Sequence, residues 1–280
     1  MSQSAVSLKS LVRRLCRSIG FDVYRVGTGK VPGFERTRLA QLLRQARRSL
    51  SPATVIDVGA AYGAFAEECV TVFPESRYLL IEPLVEYRQA LQEVEKRHPS
   101  MLHIRAAAAS RAGDIVIYVH PDLVGSSVMR ERETGTDVNG VPRTVPAVTI
   151  DGVIRETCVK GPFLLKIDVQ GAELDVLRGA AEALNETEYV LCEASLFKFF
   201  ESGPELIEVL SYMKSHGFVP YDLGNLQYRP LDNALSQVDV AFVRETGDFR
   251  RHHFYATPAQ RAMQDRDIRA HLNKVLMSGR

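Results

Sequence analysis

The segment Phe163–Ala180 constrains the fold more than any other part of the chain. Its first seven residues predict a buried parallel strand, although that strand carries Lys166 and Asp168. Charges inside a sheet are costly unless they are paired or functional, and these two lie on the same strand face. The strand runs through Gly171 into a predicted helix that carries Glu173. These acids therefore lie where a strand gives way to a helix, the place where open α/β sheets bind ligands.

Length and cysteine usage bound the class of protein. The chain of 280 residues can bury one sizeable core with appendages. It has no run of 18 apolar residues, so no transmembrane helix is expected. Its four cysteines are scattered without a C-x-x-C pair, which argues against a disulfide framework or a cysteine zinc site. This usage fits a reducing compartment, and we expect a cytoplasmic protein.

The net charge of +1 hides a strongly basic N-terminal segment. Residues 1–50 hold eleven Lys and Arg against two acids. An amphipathic helix is predicted there from apolar side chains on one face: Leu8, Leu11, Val12, Leu15 and Ile19. Such a helix could pack on the core or on a second subunit of a homo-oligomer, contact a membrane surface peripherally, or act as a transit peptide. The segment matches no nucleic-acid-binding motif and lacks interleaved aromatics, so no nucleic-acid partner is expected.

From Pro52 onward, predicted strands and helices alternate, a pattern typical of a mostly parallel sheet with helices on both faces. We place this α/β domain at residues 51–246. A basic helical extension (1–50) precedes it, and a helical extension (247–280) follows it. Residues 120–146 are rich in Gly, Ser, Thr and Pro and predict an irregular insert.

Three details of the domain follow from the local pattern. A single strand is predicted over Met101–Ala108 and a single helix over Leu174–Leu184. The last two strands, Phe218–Leu223 and Val238–Val243, are predicted to form an antiparallel, hairpin-like pair.

The first strand of the domain, from Val55, runs into a glycine turn that opens a helix. Gly59 allows a sharp turn, and Gly63 allows the helix to start close to a ligand. The spacing is G-x-x-x-G, so neither the dinucleotide fingerprint nor the phosphate-binding loop is present. Asp57 would repel a pyrophosphate, and it suits a cationic ligand such as one with an ammonium and a sulfonium.

An acid at the tip of the second strand completes this pattern. Glu82 follows the turn by about twenty residues, where a carboxylate accepts hydrogen bonds from both ribose hydroxyls. Turn and acid together predict an adenosine site without phosphates, and hence S-adenosylmethionine. The alternative is a generic Rossmann turn with a solvated glutamate. The expected cofactor-binding residues are Asp57, Gly59, Ala60, Gly63, Glu82 and Pro83.

With these segments in view, the chain resembles the FkbM-family methyltransferases over roughly residues 53–245. The resemblance rests on four motifs, DVGAAYG (57–63), IEP (81–83), VTID (148–151) and LLKIDVQGAELDVLRGA (164–180). It implies a class I methyltransferase Rossmann-like fold, with a seven-stranded, mostly parallel sheet and an antiparallel last strand. It also implies methylation of a hydroxyl group on a sugar or a polyketide-like natural product. By resemblance, Asp57, Gly59 and Gly63 would hold the methionine part of the cofactor, and Glu82 the ribose.

Methyl transfer to a hydroxyl requires an aligned acceptor and a group that takes up its proton. Asp168 ends its strand where the methyl group should project, and we interpret it as the acceptor-binding base or a metal ligand. Glu193 ends the next strand in the matching position, so the two acids could hold one divalent cation. Lys166 could instead neutralise them without metal, which is the favoured version. A third alternative is a buried network of Lys166 and acids that only stabilises the sheet.

Other polar residues are candidates for lesser roles. Glu173 is expected to be a helix N-terminal acid that could also contact the acceptor. The segment 125–127 is a candidate acceptor-binding loop, with a flexible surface loop as the alternative. His120, His252 and His253 are alternative bases, although a solvated basic turn is favoured for the last two.

Three functions therefore compete. The first is an S-adenosylmethionine-dependent O-methyltransferase with a small-molecule or glycan acceptor. The second is a non-catalytic module that keeps the cofactor fold and binds a partner through its basic N-terminal helices. The third is a nicotinamide oxidoreductase, which Asp57 disfavours because it would face the pyrophosphate.

Overall fold

The computed structural model of the protein describes residues 39–132 and 136–278. The amphipathic helix predicted for the basic N-terminal segment lies outside these residues. Within them, no helix has both the length and the apolarity that crossing a bilayer requires.

The helices and strands alternate along the described chain. Its α-helices are α1 (Leu39–Ala46), α2 (Ala64–Val72), α3 (Arg88–Arg97), α4 (Thr136–Asn139), α5 (Ile150–Thr157), α6 (Glu173–Arg178), α7 (Leu206–Ser215) and α8 (Pro258–Ser278). Its strands are β1 (Thr54–Val58), β2 (Arg77–Ile81), β3 (Met101–Ile104), β4 (Ala107–Ala108), β5 (Gly113–Val119), β6 (Val141–Val148), β7 (Phe163–Ile167), β8 (Thr187–Ser195), β9 (Phe218–Tyr228) and β10 (Leu235–Arg244). Short 3₁₀ helices cover Val85–Tyr87, Ala183–Glu186 and Asp248–Arg250.

Seven strands form the main sheet in the order β3-β2-β1-β7-β8-β10-β9. The pairs from β3 to β8 are parallel, and β10 runs antiparallel to both of its neighbours. The predicted α/β fold, with a mostly parallel seven-stranded sheet and an antiparallel last strand, is confirmed. The chain order reverses between β1 and β7, which opens a crevice at the carboxyl ends of these strands.

The central strands are buried because helices cover both sheet faces. β1 is buried along its whole length and sends alternate side chains to opposite faces. Ile56 and Val58 pack against apolar side chains of α5, α6 and α7. Val55 packs on the opposite side with α1, α2 and α3. Asp57 shares the face of Val55, so the strand period carries a carboxylate into the interior.

The predicted irregular insert 120–146 is only partly correct. A second sheet has the order β4-β6-β5, and β6 begins inside this range, at Val141, paired antiparallel with β5. Pro142 and Pro146 masked the strand, because proline cannot donate to a sheet ladder. Both prolines are tolerated because β4 pairs only with Ala147 and Val148, so the rest of β6 has one neighbour.

Two other predictions of single elements were wrong. The predicted strand Met101–Ala108 divides at residues 105–106, with β3 in the main sheet and β4 in the small one. The predicted helix Leu174–Leu184 ends at Arg178 and resumes as a 3₁₀ helix at Ala183. A Cβ at Gly179 would lie 2.1 Å from the Ala109 carbonyl oxygen, so the chain passes too close to the second sheet for a side chain there.

Candidate active site

Two cavities lie side by side at the carboxyl ends of β1, β2, β7 and β8. Gly59, Ala61 and Asp168 line both of them and form a shared wall. The first cavity extends towards β2 and the second sheet, and the second cavity extends towards β8 and β10. A molecule in one cavity would therefore meet a molecule in the other beside Asp168.

The first cavity combines one acid with an apolar slot. Glu82 is buried, and its two carboxylate oxygens accept from the backbone N–H groups of Ala61 and Leu84, each at 2.9 Å. Burial raises the pKa of Glu82 to about 7, and the two backbone donors oppose that rise. Pro83 also lines the cavity, and much of the remaining wall is apolar: Leu84, Ala107, Ala108, Ile117 and Val128.

The turn after β1 is shaped by close packing. The N–H groups of Gly59 and Ala60 both donate to the Ile81 carbonyl. Gly59 has φ +74°, and a Cβ there would lie 1.8 Å from the Asp168 carbonyl oxygen. Only glycine fits, because the ends of β1 and β7 touch at this point. Ala60 lies next to it and lines the second cavity.

Gly63 has a packing role that the sequence pattern did not reveal. It precedes α2 with φ +89°, and a Cβ there would lie 3.1 Å from Val94 Cγ2 and 3.4 Å from Leu91 Cδ2. Its lack of a side chain therefore brings α2 close to α3. Gly63 lines neither cavity.

A lysine between two aspartates joins β1 to β7. Lys166 Nζ lies 3.3 Å from Asp57 Oδ1 and 3.4 Å from Asp168 Oδ2, and it donates to the Gly59 carbonyl at 3.1 Å. Asp57 and Lys166 are direct neighbours in the parallel register. Asp168 was predicted to lie within this strand, but β7 ends at Ile167 and Asp168 is the first residue after it. The side chains of Lys166 and Asp168 form an ion pair.

Asp57 is enclosed behind this lysine. Its side chain is fully buried, it lines neither cavity, and its oxygens accept no hydrogen bond of good geometry. Burial raises the pKa of Asp57, and the charge of Lys166 opposes the rise. Burial alone would lower the pKa of Lys166, but the two aspartates raise it above its usual value. Lys166 is therefore the charged partner of Asp57.

Three glutamines surround Glu193, which was predicted to end its strand but lies two residues before the end of β8 at Ser195. Glu193 Oε2 accepts from the side-chain amides of Gln170 and Gln237, both at 2.8 Å, and Glu193 Oε1 accepts from Gln227 at 2.9 Å. Burial, followed by the nearby charges of Asp168 and Asp239, raises the pKa of Glu193 to about 8. Hydrogen bonding to Gln170 opposes that rise.

Sequence reasoning did not identify Gln170, Gln227 or Gln237. Gln170 follows Asp168 by two residues, and its side-chain amide bridges the two predicted acids, at 3.1 Å from Asp168 Oδ1. Gln237 and Asp239 alternate with buried apolar or small residues on β10. This period-two alternation of polar and buried side chains is the sequence signal that could have identified Gln237 and Asp239.

The segment 125–127 reaches the site. Ser126 and Ser127 line the first cavity, and Ser127 Oγ donates to the Gln170 carbonyl at 2.5 Å. Gln170 has φ +52°, a left-handed conformation that this contact helps to hold.

The remaining candidates lie outside the cavity linings. Glu173 is buried in the first turn of α6, accepts from the Gly171 N–H at 2.9 Å, and has its pKa raised to about 7 by burial. His120 Nδ1 lies 2.7 Å from Asp122 Oδ1 in the insert. His252 and His253 are exposed after the last strand.

The predicted metal ligands Asp168 and Glu193 have amide groups around them. Across residues 39–132 and 136–278, no group of three or more His, Cys, Asp or Glu side chains is arranged to hold a metal ion.

The sheet order and the paired cavities at the β1–β7 crevice define a class I methyltransferase type of Rossmann-like fold. The model of the FkbM methyltransferase domain matches residues 57–220, and the chain belongs to this family. Membership of a methyltransferase family implies S-adenosylmethionine as the cofactor.

Two further comparisons place the chain among known proteins. It is 27% identical over 138 residues to the hexuronic acid methyltransferase AglP of Haloferax volcanii, which covers 49% of this chain and 54% of AglP. The chain thus spans about half the length of this curated relative. A crystal structure of an FkbM methyltransferase from Methylobacillus flagellatus has a TM-score of 0.48 and 19% identity, covering 74% of this chain and 49% of that one.

Proposed function

We propose that this protein is an S-adenosylmethionine-dependent O-methyltransferase that acts on a hydroxyl of a sugar or of a glycosylated or polyketide-like natural product. The observation that carries the proposal is the shared wall between the two cavities, where Asp168 faces both. Membership of the FkbM family and the sugar-related activity named for AglP support it.

The first cavity fits adenosine. Each oxygen of Glu82 accepts one backbone hydrogen bond and keeps lone-pair capacity for a ribose hydroxyl. The apolar slot beside it suits the faces of an adenine ring. Pro83 is part of the same wall.

The methionine part would lie along the turn from Gly59 to Gly63, at the wall that Gly59 and Ala61 form between the two cavities. Since Asp57 lies behind Lys166, we assign Asp57 an indirect role: it fixes the position and charge of Lys166. The proposed role of Gly63 is likewise indirect, through the start of α2.

The donor supplies a methyl carbon activated by its sulfonium group. Asp168 takes the proton from the acceptor hydroxyl while the acceptor oxygen forms its bond to the methyl carbon. The cofactor would give up its methyl group with the electron pair of the carbon–sulfur bond left on sulfur. Lys166 orients Asp168 through the ion pair between them, at 3.4 Å. Glu193 supports the acceptor side, with its carboxylate fixed by three amides.

A screen of purified protein against a panel of glycosides tests this function. Formation of S-adenosylhomocysteine would be measured together with an acceptor mass gain of one methylene. We expect methylation on oxygen for at least one glycoside, and its loss in Asp168→Asn. Methylation only on nitrogen or carbon, or no turnover by protein that binds the cofactor, would contradict the proposal. The non-catalytic alternative predicts that second outcome.

A further inference from the structure

The second cavity has a negative wall. Its lining within the described residues includes four acids and one cation: Glu68, Asp168, Glu193, Asp239 and Lys166. Lys166 already pairs with two aspartates, at 3.3 and 3.4 Å. In the part of the chain that the structure describes, no ion pair reaches Glu193 or Asp239. Lys166 therefore acts on Asp239 only through its charge, which opposes the rise in the pKa of Asp239, and four acids against one cation leave the described lining negative.

Neutral amides hold these two acids in place. Gln170, Gln227 and Gln237 donate to Glu193, and the side chain of Asn225 hydrogen-bonds to Asp239. Such donors satisfy the oxygens without adding a positive charge. The pKa of Asp239 is raised to about 6 and that of Glu193 to about 8, so Asp239 is ionised at neutral pH and Glu193 becomes fully ionised only at higher pH. The amides of Gln170 and Gln237 each donate a second time, to Asp168 Oδ1 at 3.1 Å and to Gln170 Oε1 at 3.5 Å, so neither keeps a donor for a carboxylate ligand.

Lys166 is likewise unavailable to a carboxylate ligand, because it is the counter-charge of Asp57. Both oxygens of the fully buried Asp57 lack a hydrogen bond of good geometry, so Lys166 is its one counter-charge among the described residues. Withdrawing Lys166 towards a ligand would leave a buried aspartate uncompensated, which is strongly unfavourable.

The position in the sheet separates these acids from the proposed cofactor. Glu82 follows β2, whereas Glu193 and Asp239 lie on β8 and β10, on the other side of β7. Glu193 and Asp239 are paired residues of neighbouring strands, so their side chains share a sheet face. A donor in the first cavity reaches Asp168 first, and the acceptor meets Glu193 and Asp239.

We propose that the second cavity takes an acceptor that carries an amine, such as an amino sugar, and disfavours an acceptor that carries a carboxylate. This inference rests on the proposed function, whose acceptor site it describes. It sets this chain apart from AglP, whose name specifies a hexuronic acid. A carboxylate in the cavity would face like charges, whereas an ammonium would compensate them.

A matched ligand series tests the charge preference. A hexoside, its 6-amino-6-deoxy analogue and its uronic acid differ only at carbon 6, and a 2-amino-2-deoxy hexoside moves the ammonium. Dissociation constants would be measured by calorimetry on full-length protein saturated with S-adenosylhomocysteine. We expect at least one amino sugar to bind on the order of tenfold or more tightly than the uronic acid. The neutral hexoside should fall between them.

A charge-neutralising variant tests whether the acids that line the second cavity cause the preference for an amine over a carboxylate. Asp239→Asn keeps the shape and acceptor oxygen of residue 239, and it is outside the proposed catalytic set. It should narrow the ratio of amino-sugar affinity to uronic-acid affinity several-fold, and both affinities are expressed relative to that of the neutral hexoside for the same variant. Asp114→Asn makes the same charge change at an exposed site on β5, outside the cavity, and should leave the ratio intact.

The outcomes separate this inference from the proposed function. If S-adenosylhomocysteine binds but the uronic acid binds as tightly as the amino sugars, the inference is wrong and the methyltransferase proposal stands. The same holds if no amino sugar binds, or if both variants change the ratio equally. If S-adenosylhomocysteine itself does not bind, the proposed function fails first.

Discussion

At the scale of single residues, the site depends on one lysine shared by two aspartates. Lys166 neutralises Asp57, which has no contact with either cavity, and Asp168, which faces both. The buried Asp57 carboxylate, the partly exposed Asp168 carboxylate and the ammonium between them are tolerated because the ammonium also donates to the Gly59 carbonyl. Burying Asp57 is energetically costly, but the buried aspartate keeps Lys166 charged and beside the proposed base, Asp168.

The variant Asp168→Asn tests the role of Asp168 as the base. Because the asparagine side chain keeps the shape of aspartate but cannot take a proton, turnover should fall by roughly 10²–10⁴-fold. Cofactor affinity should remain nearly unchanged. Initial rates and calorimetric titration of the same preparation provide both numbers. Wild-type-like rates would rule out Asp168 as the base.

The proposed ribose contact gives a pH dependence. The pKa of Glu82 is raised to about 7, so the group is protonated below that value and ionised above it. Only the ionised carboxylate accepts from both hydroxyls with both oxygens, so affinity should rise as pH increases through this pKa and then level off. Dissociation constants for S-adenosylhomocysteine would be measured across that range.

The matched control is Glu82→Gln. It should weaken binding by about 1.5–3 kcal/mol, the typical contribution of a hydrogen bond to a charged group. It should also remove the pH dependence that the wild type owes to this carboxylate. A variant that binds with the wild-type profile would show that Glu82 does not contact the ligand.

At the scale of elements, the sequence predicts the positions of strands and turns better than it explains why particular glycines are required there. The turn from Gly59 to Gly63 was predicted from its spacing. The clash of a Gly59 side chain with the Asp168 carbonyl depends on β1 lying beside β7, about a hundred residues further along the chain. The strand β6 was missed because prolines obscure its local signal and only its pairing with β5 supports it.

Two glycine substitutions separate backbone strain from steric overlap. Gly59 and Gly217 both have positive φ, +74° and +79°, but an added Cβ at Gly217 meets nothing within 4 Å. Gly217→Ala should cost about 1–2 kcal/mol of unfolding free energy from strain alone. Gly59→Ala should cost at least about 2 kcal/mol more, because β1 and β7 must separate. Denaturant unfolding measures both, and equal costs would refute the close packing.

At the scale of the whole molecule, alternation of strands and helices correctly predicted a mostly parallel sheet, and the family resemblance supplied its seven strands and antiparallel last strand. Alternation did not reveal the amides around Glu193, because Gln170, Gln227 and Gln237 come together only through the sheet order and register. The local sequence pattern identifies acids near strand ends, because parallel strands bring their carboxyl ends to one edge of the sheet. It does not indicate which neighbouring side chains donate hydrogen bonds to those acids.

The metal alternative for Asp168 and Glu193 is tested on the whole enzyme. Lys166 already supplies positive charge beside Asp168, so we expect turnover to be undiminished after exhaustive treatment with a chelator. Activity would be compared before and after treatment, and after adding back magnesium, manganese or calcium. Loss of turnover that a divalent cation restores would show that these acids work through a metal.

Calorimetric titration of the full-length protein with S-adenosylmethionine tests whether the β1–β7 crevice holds this cofactor. We expect saturable binding of one equivalent per chain, competition by S-adenosylhomocysteine, and no binding of NAD. Protein that unfolds cooperatively, and so is folded, yet gives no saturable heat with S-adenosylmethionine would contradict this expectation.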